Sequence, residues 1–185
     1  MIARAKLLSL LTVILALSGV AIAEIEKHGH PCETGICLYW WPKLPALNGW
    51  HQDAQASERY GANALAPDGS TFKDAETVMY AKAPYKPRVP ELKSIEDLIA
   101  SDKKDFVENS PGLVVSETKP LTTGDGEKFR SITFFPSGQG NWEHVSYGEE
   151  GEFYLIFTIS SRTKRGYEKA LPAYEALIRN YKEKL

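Results

Sequence analysis

The chain is 185 residues long, with 22 Lys and Arg set against 24 Asp and Glu and a formal net charge of −2. That near balance, with Arg162, Lys164 and Arg165 as its densest basic cluster, excludes an electrostatic grip on nucleic acid or on an anionic membrane surface, both of which ask for a concentrated basic patch. The length suits a single domain with a real core.

The first element in chain order is a leader. Arg4 and Lys6 precede an uncharged run over residues 7–23 that ends in Ala21-Ile22-Ala23. Small residues at the last and third-last positions fit signal peptidase, so residues 1–23 read as a signal peptide cleaved before Glu24. Removing 23 of the 185 residues leaves 162, and takes away two basic residues and no acidic ones, which moves the charge from −2 to about −4. The mature chain is expected in the periplasm or outside the cell, with no stable membrane insertion.

Residues 24–49 mix prolines and glycines without clean periodicity and are predicted to form an irregular arm, rich in aromatic side chains. Cys32 and Cys37 lie within it. In an oxidising compartment so close a pair is most simply a disulfide. The alternative is a soft-metal site that adds the imidazoles of His28 and His30 to the two thiolates. Tyr39, Trp40 and Trp41, with Trp50 and Trp142 further on, are the candidate partner-binding residues, because tryptophan is enriched at interface hot spots. The competing expectation is that most of them are buried.

Residues 50–185 are predicted to form one domain. Strands are expected around 50–58, 63–66 and 77–83, then a Pro-rich connection through Pro84, Pro87 and Pro90. Ser94, with Asp97 three residues on, forms a capping box for a helix whose Ile95, Leu98, Ile99 and Phe106 share one face. Four more strands follow near 113–119, 127–135, 142–147 and 153–160. In the last, Phe153, Leu155, Phe157 and Ile159 alternate with Tyr154, Ile156 and Thr158, so a central strand covered on both faces is expected. The C-terminal segment is an amphipathic helix through Tyr167, Ala170, Leu171, Tyr174, Leu177, Ile178 and Tyr181, which Pro172 should kink or divide. The fold class is therefore α+β: an antiparallel sheet of six to seven strands with a mid-chain helix and a long C-terminal helix on its faces.

Three constellations carry chemistry in principle. His51, Asp53 and Ser57 hold the residue types of a hydrolytic triad, yet no nucleophile elbow presents the serine, so polar residues on a solvated strand face are expected. Ser137-Gly138-Gln139-Gly140 lacks the helix and lysine of a phosphate loop and reads as a turn. Glu149, Glu150 and Glu152 with Asp125 supply the oxygens calcium needs if two turns meet; the simpler expectation is a charged hairpin tip. No cofactor is predicted.

The strand and helix order, the segment Ala64-Leu65-Ala66-Pro67-Asp68-Gly69, and the closing strand with its helix through Leu171-Pro172-Ala173-Tyr174 resemble the PsbP-like superfamily, PsbP and periplasmic DcrB-type α+β domains, over roughly residues 50–181. The resemblance implies a non-catalytic binding, assembly or accessory role. It carries over no site residue. With a complete small fold and no convergent catalytic residues, the leading expectation is a module that acts through a protein partner, beside a secretion system or as an immunity factor. A metal-binding protein or small enzyme using the His and Cys arm is the alternative; a ligand carrier roofed by the C-terminal helix is another.

Overall fold

A computed structural model describes residues 25–33 and 35–182. The segment read as a signal peptide, 1–23, lies outside the described residues.

The arm is not irregular. Strands β1 (Ile25–Cys32) and β2 (Gly35–Pro42) form an antiparallel hairpin in which His28 faces Tyr39 and His30 faces Cys37. Pro31 and Gly29 obscured it in the sequence. In a separate two-stranded sheet each strand has one unpaired edge, so a proline that cannot donate is tolerated.

The strand expected at 50–58 is also corrected. β3 covers only Trp50–Gln52, and α1 (Ala54–Tyr60) follows at once. Asp53 makes the switch: its side chain accepts the Ala56 N–H at 3.0 Å and caps the helix. Gly61 ends α1 in the left-handed conformation at φ 59°, and a Cβ there would stand 2.4 Å from the Tyr39 ring. Both the turn and the hairpin's approach require glycine.

The main sheet adds β4 (Asn63–Pro67), β5 (Thr77–Lys82), β6 (Leu113–Thr122), β7 (Lys128–Pro136), β8 (Trp142–Glu150) and β9 (Phe153–Ser161). Its order is β3-β4-β5-β9-β8-β7-β6, antiparallel throughout. β9 is central, as its two apolar faces require. Leu155, Phe157 and Ile159 pack in one cluster, and Tyr154 with Ile156 in a second on the other face. The fold class expected from the sequence is thus the one observed.

Helix α2 (Ile95–Asn109) starts with the Ser94–Asp97 capping box and buries Leu98 and Ile99 against the second cluster. Helix α3 (Lys164–Asn180) covers the first. It runs through Pro172 as one helix, because Pro172 and Glu168, whose carbonyl the proline leaves without a donor, face solvent, where water can replace the lost bond. Beneath α3 the space is filled by Tyr174, Leu177 and Ile178 against Met79, Leu155 and Phe157, all essentially inaccessible. Among the described residues no helix is long and apolar enough to cross a membrane.

Candidate functional site

The five candidate aromatic residues do not converge. Trp41 is 2% exposed and lies stacked on His28 with ring centroids 3.6 Å apart, so it cannot anchor a partner. Tyr39 rests on Gly61. Trp50 packs on the α3-side core and lines a hollow with Pro67 and Gly166. Trp142 packs on Phe135 at 4.7 Å, with the Lys164 ammonium 5.7 Å from its ring. Trp40 joins a half-buried cluster of three rings drawn from three segments.

That cluster forms where the hairpin, the Pro-rich connection and the β8–β9 turn meet. The Trp40 centroid lies 5.3 Å from Tyr85 and 6.5 Å from Phe153, and Tyr85 lies 5.2 Å from Phe153. Arg88 stands 4.9 Å from the Trp40 centroid and Lys27 stands 5.7 Å from it, close enough for cation–π attraction. Backbone bonds fix the three segments: Ala83 N–H donates to the Trp40 carbonyl at 2.9 Å, Lys86 N–H to Glu152 at 2.9 Å and Tyr154 N–H to Pro84 at 3.0 Å. Lys86 adds an ion pair to Glu149 at 2.9 Å. The rings are therefore held in place before any partner arrives, which lowers the ordering cost of binding. Nothing in the local sequence brings these rings together: the pairing of β5 with β9 sets Tyr85 opposite Phe153, and the backbone bond from Ala83 to Trp40 holds the hairpin beside them.

The other constellations are accounted for by structure. Cys32 and Cys37 form a disulfide that closes the hairpin end, which takes both sulfurs from any metal set. The His51, Asp53 and Ser57 reading as one strand face is corrected. His51 lies 3.5 Å from Asp68, Asp53 caps α1, and Ser57 donates to the Asp53 carbonyl at 2.9 Å while accepting the Ala64 N–H at 3.0 Å. The N–H groups of Phe72 and Ala56 hold the Asp53 carboxyl below its usual range. The acidic tip is not a uniformly solvated one: Glu149 pairs with Lys86, and Glu150 is buried and accepts from the Tyr181 hydroxyl. Asp125 accepts from Thr123 in its own turn. Among the described residues no three His, Cys, Asp or Glu are placed to hold a metal ion.

A second polar group, on the α2 side of the sheet, escaped the sequence reading. Asp102 occupies the gap in the apolar stripe between Ile99 and Phe106, and Glu143 precedes the inward Val145 and Tyr147 on β8. Burial raises both carboxyls above their usual range. Glu143 accepts from Ser160 at 2.6 Å. The Tyr147 hydroxyl, on a residue 1% exposed, reaches toward Asp102 without closing a well-formed hydrogen bond. Tyr80 on β5 lies within electrostatic reach of both carboxylates. A charged residue at a core-facing position of an amphipathic pattern was the available signal.

No protein-family model matches the chain, and no curated protein does.

Proposed function

We propose that this chain works outside the cytoplasm as a non-catalytic protein-binding or accessory module, and that its partner docks on Trp40, Tyr85 and Phe153. The observation that carries this is the fixed, half-buried cluster of those rings with Arg88 and Lys27 laid over Trp40. Trp, Tyr and Arg are the residue types that dominate interface energies, because each buries a large apolar area and keeps a polar handle. The signal-peptide pattern at residues 1–23, the disulfide and the resemblance to PsbP-like domains support the compartment and the class of role, including service beside a secretion system or as an immunity factor.

The test is site-specific photo-crosslinking in the envelope of the producing cell, with the probe at position 85. Wild type is expected to yield one defined crosslinked partner, and Trp40→Ala or Arg88→Ala to lose it while keeping the fold by circular dichroism. Undiminished crosslinking to the same partner by both variants, or no crosslinked protein at all, overturns the reading.

A further inference from the structure

We propose that the hollow between residues 43–47 and the β3–β4 edge of the main sheet binds a small apolar α-amino acid as its zwitterion. The site shares no residue with the Trp40 cluster and does not rest on that reading.

The hollow measures about 230 Å³. That is room for about seven waters at their liquid volume, and so for a molecule of leucine's size but not for a drug-sized one. Asn63, the first residue of β4, lines it and is 4% exposed. The Asn63 amide is fixed by one bond: Nδ2 donates to the Pro42 carbonyl at 2.9 Å, which leaves Oδ1 as an acceptor. Among the described residues no group donates to that oxygen. A buried acceptor in that state costs free energy until a donor reaches it.

The charges at the hollow say which donor suits. Glu26 on β1 also lines it, and in ion pairs its carboxylate meets only His28, at 3.4 Å. Beside a carboxylate the donor that gains most is an ammonium. Lys43 borders the same hollow with the opposite sign, and among the described residues it is in no ion pair. A molecule that carries both an ammonium and a carboxylate meets Asn63 and Glu26 at one end and Lys43 at the other. An inorganic anion would leave the Asn63 oxygen without its donor, and no three metal-binding side chains converge here among the described residues. The remaining walls are apolar. Leu44, Leu47 and Trp50 are partly open and pack on the core that α3 covers, and Leu65 is buried beside them. Such walls favour an aliphatic branch and penalise a polar one.

The N-terminal residue of a peptide shares the ammonium and the branch but has an amide in place of the carboxylate. Calorimetric titration of the purified protein with L-leucine, leucinamide and N-acetylleucine separates these sources. Leucine is expected to bind saturably, and N-acetylleucine, which has no ammonium, not to bind. Leucinamide, which has no carboxylate, is expected to bind about tenfold more weakly, the loss of one charge-assisted hydrogen bond. Lys43→Ala is expected to bring leucine to the leucinamide level and to leave leucinamide unchanged, a split that misfolding does not produce. Glu26→Gln is expected to weaken both about tenfold. In nitrogen-edited NMR spectra the Asn63 side-chain amide is expected to shift as leucine is added. Absence of saturation up to about 10 mM, N-acetylleucine binding as tight as that of leucine, or leucine binding that leaves the Asn63 amide unmoved overturns the proposal. Leucinamide binding as tightly as leucine overturns the free amino acid in favour of a peptide N-terminus. Near-ultraviolet circular dichroism of each variant checks that the fold is kept.

Discussion

The Tyr167 hydroxyl stands 3.3 Å from Nδ1 of His144, whose ring is sealed between the sheet and α3. Thr118 Oγ1 lies 3.4 Å from the other ring nitrogen. Burial pulls the imidazole down from 6.5 to about 4, so the folded protein keeps it neutral. As pH falls the unfolded chain takes up this proton first. The stability that rests on the neutral ring is whole above the unfolded value of 6.5 and is lost as pH drops toward about 4, a loss of about 3 kcal/mol at most. Asp102 and Glu143, raised by burial, act in the opposite direction, and do so equally in any His144 variant. Denaturant unfolding near neutrality and at about pH 4.5 checks this. His144→Gln is expected to start less stable than wild type and to lose less on acidification; equal losses would remove His144 as the cause.

The same interface holds two more tyrosines, each seven residues on. The Tyr174 hydroxyl lies 2.8 Å from Ser146 Oγ and 2.9 Å from the Phe157 carbonyl oxygen, and Tyr181 donates to Glu150. Removing either hydroxyl leaves buried acceptors without their donor, at a cost of about 1–3 kcal/mol. Tyr181→Phe is expected to cost more than Tyr174→Phe, because the group left behind is a carboxylate and not a hydroxyl. Thermal or urea unfolding of the two variants ranks them; a smaller loss for Tyr181→Phe would show that Glu150 finds water instead.

Where periodicity is long, the sequence shows the fold. The alternation in β9 places it at the sheet centre, and the three- and four-residue steps from Tyr167 to Tyr181 define α3. Short elements escape, because three residues of β3 and seven of α1 carry too little pattern to outweigh their neighbours. Asp53 is the legible signal there, because an aspartate three residues before Ala56 suits an N-cap as well as a strand position. The hairpin escaped because Gly29 and Pro31 suit a ribbon with free edges. As for the candidate sites, residue types named Trp40, but its companions come from chain positions 85, 88 and 153, and it takes the β5–β9 pairing and the hairpin's backbone bond to Ala83 to bring them together. Asp102 and Glu143 were visible as breaks in apolar stripes, yet their distance in sequence hid that Tyr80 lies near both.

The disulfide closes a loop at the end of a hairpin that forms its own two-stranded sheet. Reduction, or Cys32→Ser with Cys37→Ser, is expected to cost about 2 kcal/mol or less, since so short a loop restricts the unfolded chain little. The seven-stranded sheet should persist, with loss confined to the hairpin and its contacts at Gly61 and Ala83. Hydrogen exchange resolves this. Faster exchange over 25–42 with β8 and β9 unchanged is the expected pattern, and global acceleration would show that the hairpin belongs to the same cooperative unit. Thiol titration of unreduced protein should find no reactive sulfhydryl.

Asp102 and Glu143 are open to a direct test of a folding role. Were they kept for stability, neutralising them would weaken the protein. Their raised carboxyls say the reverse: a group that holds its proton more tightly when folded destabilises the folded state once pH rises above its unfolded value, because the charge must then be carried where water is partly excluded. Asp102→Asn and Glu143→Gln keep shape and remove that charge, so each is expected to raise stability near neutral pH by about 1 kcal/mol. The gain should fade on acidification, as the wild-type carboxyls regain protons. Urea unfolding of wild type and both variants across the acid range measures it. A gain at neutral pH shows that neither carboxylate is kept for the fold; a loss of stability at neutral pH would place them instead in the framework that positions α2 on the sheet.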